Sequence, residues 1–349
     1  MSFNPGCTAT AIGSFPHQEP AAACALILDT IPEIPVWPQL PNIDFRELMD
    51  FQYCEGLPCV VLDETKKTIH FNTSGDFSGD FEKFYESFLA ENLDCFKISP
   101  EFSRGIYRME ELLQAMDRSS VKYIKSQVTG PVTFGLSVMD ESKKAVYYNE
   151  VFRDVIVKGI TMKARWLLSR FAPFGCDQIC FVDEPVLSAF GSSTYVSVQR
   201  PDIISCMKEV IGTLHKEGAL IGTHCCGNTD WTILVDAGVD IINFDAYEYG
   251  QTIAYYPDSI RAFLDNGGVL AWGIVPTSDK IQQETPESLV KKLQEVVENL
   301  SQKGLNKSLL WDRCLLTPSC GTGSMTVELA EKVMHDLAEV SRILRGQGT

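Results

Sequence analysis

The sequence predicts a parallel α/β fold, with a single (β/α)8 barrel as first choice and an open doubly wound sheet as second. Three observations carry this. Eight short apolar or β-branched runs punctuate the chain, amphipathic stretches separate most of them, and the second half alternates regularly. The runs lie at 8–12, 60–62, 123–128, 179–182, 219–223, 241–244, 269–274 and 315–317. Phe77, Phe81, Phe84 and Phe88 recur at i, i+4, i+7 and i+11, one face of a core-packed helix. Thr285-Pro286 is a cap followed by proline at the first helical position, leading into Leu289, Leu293, Val296 and Leu300. Residues 330–344 form a closing helix. The first third of the chain is less regular, so extra hairpins or helices are expected to decorate that end of one domain spanning residues 1–349.

Charge narrows the function. Thirty Lys+Arg against 46 Asp+Glu leave a net charge of −16, which repels phosphate backbones and anionic lipid. Nucleic-acid and membrane partners are therefore not expected. No apolar run reaches the roughly 20 residues that span a bilayer, and no basic segment followed by an apolar one marks export. A cytoplasmic enzyme is the expectation, in which the 12 cysteines serve as thiols or metal ligands and not as a disulfide framework.

In a barrel, chemistry gathers at the C-terminal ends of strands. Four runs end conspicuously: in Gly13-Ser14-Phe15-Pro16, Asp183-Glu184-Pro185, His224-Cys225-Cys226-Gly227 and Pro318-Ser319-Cys320-Gly321. Side chains alternate along extended backbone, so His224 and Cys226 point together while Cys225 points away. An imidazole and a thiolate so placed can share a zinc ion. Cys320, after a strand and before glycine, is the best third ligand. Asp245 is a candidate fourth and Glu248 a weaker alternative to it. Neutral histidine plus two thiolates cancels the zinc charge, so an incoming thiol would bind as a thiolate electron-rich enough to attack an alkyl group. The bland readings are a tight turn at Gly13-Ser14 and a helix cap at Asp183.

Ala11 to Pro16, Thr129-Gly130-Pro131-Val132-Thr133, Asp183-Glu184-Pro185, His224-x-Cys226 and Pro318-Ser319-Cys320-Gly321 occur together in one order. That order resembles the C-terminal catalytic barrel of cobalamin-independent methionine synthase. This barrel is similar to uroporphyrinogen decarboxylase and to zinc-dependent corrinoid:thiol methyltransferases. The resemblance covers nearly the whole chain. It implies zinc on His224, Cys226 and Cys320, an amino-acid carboxylate at the turn of Ile12 and Ser14, and an amino group on Asp183. Asp245 stands where the family has a glutamate ligand. For the family's acidic substrate-binding residue around 49–56, both Asp50 and Glu55 are candidates, and His17 after the turn is a further pocket candidate. The family's full-length enzyme has an additional N-terminal barrel that helps bind folate, for which these 349 residues have no room. The expected donor is thus methylcobalamin or another methylcorrinoid, free or on a partner protein, and the expected acceptor is a small thiol, homocysteine first.

Three alternatives stand beside this reading. One is methyl transfer to another acceptor, such as coenzyme M, a different thiol or tetrahydrofolate. A second is a decarboxylase-like lyase, disfavoured because no lysine or arginine precedes Arg46. The third is a non-catalytic protein that binds zinc or a corrinoid.

Overall fold

The computed structural model describes residues 3–346. Its strands, in chain order, are β1 (Thr8–Ala9), β2 (Val60–Asp63), β3 (Thr68–Phe71), β4 (Tyr123–Thr129), β5 (Met139–Asp140), β6 (Asp177–Asp183), β7 (Leu220–Cys225), β8 (Ile241–Phe244), β9 (Val269–Val275) and β10 (Cys314–Pro318). Seven make one curled sheet in the order β1-β10-β9-β8-β7-β6-β4. Every neighbouring pair in it is parallel. Long helices return the chain between strands, among them Glu150–Phe171, Arg200–Lys216, Pro286–Gln302 and Val327–Gly346. This is a barrel-like α/β architecture.

Both edges of the sheet meet the segment 35–39. Lys125 N in β4 donates to Pro35 O (2.9 Å), Gln39 N donates to Gly13 O (2.8 Å), and Phe15 N donates to Gln39 O (2.8 Å). Pro35 and Pro38 have no N–H to give, so these contacts stay isolated bridges and no ladder forms. The apolar run at 60–62, read from sequence as one of eight barrel strands, lies elsewhere. It belongs to β2, which pairs antiparallel with β3 in a separate three-stranded sheet completed by β5. This hairpin decorates the N-terminal third, as expected there.

Alternation along the strands sorts the core. Ile179, Phe181, Ile241, Val269, Ala271 and Leu315 pack with Phe3 and Ile34 into a plug inside the sheet's curl. Their neighbours Cys180, Val182, Ile242, Leu270 and Leu316 join the large cluster beneath the helices. Gly222 makes room for the plug, since a Cβ there would stand 2.2 Å from the Phe181 ring. Further along the same inward rows the residues turn polar: Lys125, Gln127, His224, Asn243 and Thr317 are all buried. A polar layer above an apolar plug is what places chemistry at the C-terminal ends of the strands.

The helical expectations hold in detail. Helix Ser78–Leu89 buries Phe84 and packs Phe81 and Phe88 against the core, with Phe77 at its N-cap. Thr285 forms a capping box with Ser288, and Leu289, Leu293, Val296 and Leu300 are buried. Helix Val327–Gly346 closes the chain, its Ser341 Oγ donating to Cys7 O (2.6 Å). No described helix is long and apolar enough to cross a membrane.

Candidate metal centre

His224 lies on the inward row one residue before the end of β7, Cys226 comes directly after the strand, and Cys320 follows β10. Their ligand atoms all lie within 4.8 Å of one another. A neighbouring pair and a third side chain distant in sequence thus converge at the C-terminal end of the sheet. Cys225 turns the other way, into the core under the helices, where burial pushes its thiol up to about 12.

The histidine is held in one tautomer. Asn243, on the neighbouring β8, donates through Nδ2 to Ala271 O (2.9 Å) and to Thr317 Oγ1 (2.8 Å). A backbone carbonyl can only accept, so this end of the amide is its NH2 and Oδ1 faces His224. Nδ1 of His224 lies 2.5 Å from that oxygen and is therefore the protonated nitrogen. Nε2, buried and without a hydrogen-bond partner, keeps its lone pair for something else. A metal-binding imidazole has this arrangement, with the second nitrogen oriented by a hydrogen bond.

The thiols differ sharply. A hydrogen bond from Cys320, with the nearby His224 imidazole adding to it, holds Cys226 down to about 4, whereas Cys320 is raised by that same bond and by its burial. Burial opposes the charged form of His224, but Cys226 and Asp183 outweigh it and raise its pKa. One nitrogen and two sulfurs fit zinc in number, type and proximity, and three protein ligands leave one position for an exchangeable group, the catalytic pattern.

The cluster opens into a cavity of about 490 Å³ whose lining includes Ile12, Ser14, Asp183, His224, Cys226 and Cys320. Asp183 is 8% exposed; its Oδ1 is buried without a partner, and burial raises its pKa. Glu184 beside it has a structural task. It accepts from Val132 N (2.9 Å), Thr133 N (2.6 Å) and Thr133 Oγ1 (2.6 Å), which pins the first turn of helix Pro131–Ser137 after β4. A larger cavity of about 750 Å³ sits at the opposite end of the sheet, by Phe3, Asp240 and Arg313, and holds none of the metal-ligating group. Chemistry, not volume, selects the site.

Other sequence candidates fall outside the cluster. Asp245 Oδ1 accepts from Glu248 N (2.9 Å), capping helix Ala246–Tyr249, and Glu248 pairs with Lys280. Burial pushes the Asp245 carboxyl up to about 6. Glu55 accepts from Ser99 N (2.8 Å), and neither it nor Asp50 lines the cavity. His17 is buried, 3.9 Å from Glu331, and also lies off the lining. Sequence reasoning overlooked Gln39, Glu47, Leu48 and Met49, which do line it. Glu47 is buried and accepts from Leu40 N (2.9 Å), Arg104 N (3.1 Å) and the Arg104 guanidinium (3.2 Å). The proline-rich stretch 32–41 was the available signal, because prolines that break a strand pattern often mark an irregular segment lining a site.

No family model and no curated protein sequence matches the chain. Among solved structures it is similar to a B12-independent methionine synthase from Shewanella sp. W3-18-1, in complex with selenomethionine. The identity is 14%, 98% of each chain is covered, and the TM-score is 0.58. At that identity the likeness establishes the fold over essentially the full length of both chains.

Proposed function

We propose that this protein is a zinc-dependent methyltransferase whose acceptor is a small thiol, homocysteine foremost, and that residues 35–39 supply the eighth stave of its barrel. One observation carries the reading: His224, Cys226 and Cys320 converge with Nε2 unpartnered and its tautomer set by Asn243. The solved neighbour, a methionine synthase holding selenomethionine, supports it by likeness of fold. All 12 cysteines are free, which suits a reducing cytoplasm.

Zinc held by these three residues would supply a charge-neutral centre that lowers the pKa of a bound thiol without quenching its nucleophilicity. The remaining tasks belong to the chain. Asn243 keeps the proton on Nδ1. Asp183 offers Oδ1, a buried carboxyl oxygen without a partner, to a substrate ammonium. The turn of Ile12 and Ser14 receives a carboxylate. Leu48, Met49 and Pro185 give the cavity an apolar wall that excludes water around the sulfur.

The neighbour's printed name makes it B12-independent, so the expected methylcorrinoid donor draws no support from it. The test supplies zinc-loaded protein with homocysteine and either methylcobalamin or methyltetrahydrofolate, and measures methionine. Product from either donor, lost in Cys320→Ser, supports thiol methylation. Absence of product from both, with zinc bound, contradicts it.

A further inference from the structure

Lys125, in the middle of β4, is fully buried inside the sheet's curl. Its Nζ donates to Ile12 O (2.8 Å) and sits 4.3 Å from the centroid of the Phe181 ring. A buried ammonium with one hydrogen bond is costly unless its charge is used. Burial pulls it down to about 8, with the charge of nearby Asp183 opposing the shift.

The contact falls on the turn that borders the cavity. In a trans peptide the C=O and the next N–H point in opposite directions. Drawing Ile12 O toward Lys125 therefore directs the Gly13 N–H away from it. Gly13 O accepts from Gln39 N, which likewise turns the Ser14 N–H away from Gln39. Neither N–H has a hydrogen-bond partner among the described residues. Gly13 has φ +153°, and a Cβ there would lie 2.7 Å from Gln127 Nε2, so the turn is also confined from below.

Charge gives the second argument. The cavity lining holds Asp183, Glu47 and two cysteines, and neither lysine nor arginine. Behind the turn, bonded to its Ile12 carbonyl, stands the Lys125 ammonium. We propose that Lys125 is a positioning residue for carboxylate recognition, holding and polarising the Ile12–Gly13 peptide so that the free N–H groups of the turn select thiols bearing a carboxylate. This rests on the methyl-transfer reading above.

The test is calorimetric binding of homocysteine and of 3-aminopropanethiol, its analogue without the carboxylate, to zinc-loaded wild type, Lys125→Met and Lys125→Gln. Wild type is expected to favour homocysteine by about tenfold or more. Lys125→Met should lose most of that preference by weakening homocysteine alone, with 3-aminopropanethiol within about twofold and zinc content unchanged. Lys125→Gln, neutral but still able to donate, should lose part of it, and it carries the same comparison if the methionine variant does not fold. Equal weakening of both thiols, an unchanged preference in the variants, or no preference in wild type overturns the proposal. Wild type that binds neither thiol refutes the methyl-transfer reading itself. Retained preference in Lys125→Met leaves that reading standing and removes only the role of the lysine.

Discussion

Replacing Asn243 by leucine separates orientation of the zinc ligand from ligation itself. The substitution keeps the branching and the number of heavy atoms and removes three polar contacts, to His224 Nδ1, Ala271 O and Thr317 Oγ1. The Thr317 hydroxyl can rotate, so two buried groups are left unpaired, at about 1–3 kcal/mol each. The metal-free variant should therefore lose about 2–6 kcal/mol of stability. Zinc affinity should fall about 10- to 100-fold, the usual cost of removing an outer partner of a ligating histidine. Asn243→Asp keeps an acceptor for Nδ1–H and should retain most of the affinity. Chelator competition reads the affinity, and thermal melts with and without zinc read the stability. Zinc affinity in Asn243→Leu within about threefold of wild type would refute the tautomer argument.

Other expectations concern separate parts of the site and shell. Cys226→Ser and Cys320→Ser should lose most bound zinc by metal analysis, while Cys225→Ala, facing the helices, should keep it. Asp183→Ala should weaken thiol binding, measured by calorimetry, at unchanged zinc content. Gly13→Ala should cost at least about 1–3 kcal/mol in chemical denaturation, from the backbone conformation and the collision with Gln127. On the surface, Asp240 hydrogen-bonds His215 and raises its pKa. The stabilisation from that pair is fully present below the unfolded histidine pKa, about 6.5, and fades as pH rises through the higher folded value. His215→Gln should thus destabilise more in acid than at alkaline pH, by less than about 1 kcal/mol because the pair is solvent-screened.

The cluster of His224, Cys226 and Cys320 is legible because strand alternation and a following glycine are local signals. Cys225, between two ligands, was read correctly as facing away for the same reason. Asn243 is visible only as a lone polar residue in an apolar run, and Lys125 only as the first of three polar residues in another, patterns that mark a buried polar layer without saying what each side chain meets. Asp245 shows the limit from the other side. An aspartate ending a strand reads equally as a ligand or a helix cap, and here its oxygen caps Ala246–Tyr249. The parallel sheet followed from seven runs, but the eighth run and the segment bridging the sheet edges were exchanged. Residues 60–62 have the apolar character of a barrel strand, and only pairing with β3 assigns them to a hairpin. Residues 35–39 carry two prolines, which erase the strand signal while two neighbouring segments still bond to the rest. Glu47 lies beyond that stretch and is tied to it through Leu40 N, a link that no spacing rule reaches.

The most direct measurement is metal analysis of the purified protein combined with X-ray absorption at the zinc edge. The account predicts one zinc per chain with two sulfur neighbours at about 2.3 Å and nitrogen or oxygen at about 2.0–2.1 Å, and one sulfur fewer in Cys320→Ser for whatever metal remains. A chain that takes up no zinc, or holds it with an unchanged sulfur count when Cys320 is replaced, would contradict it.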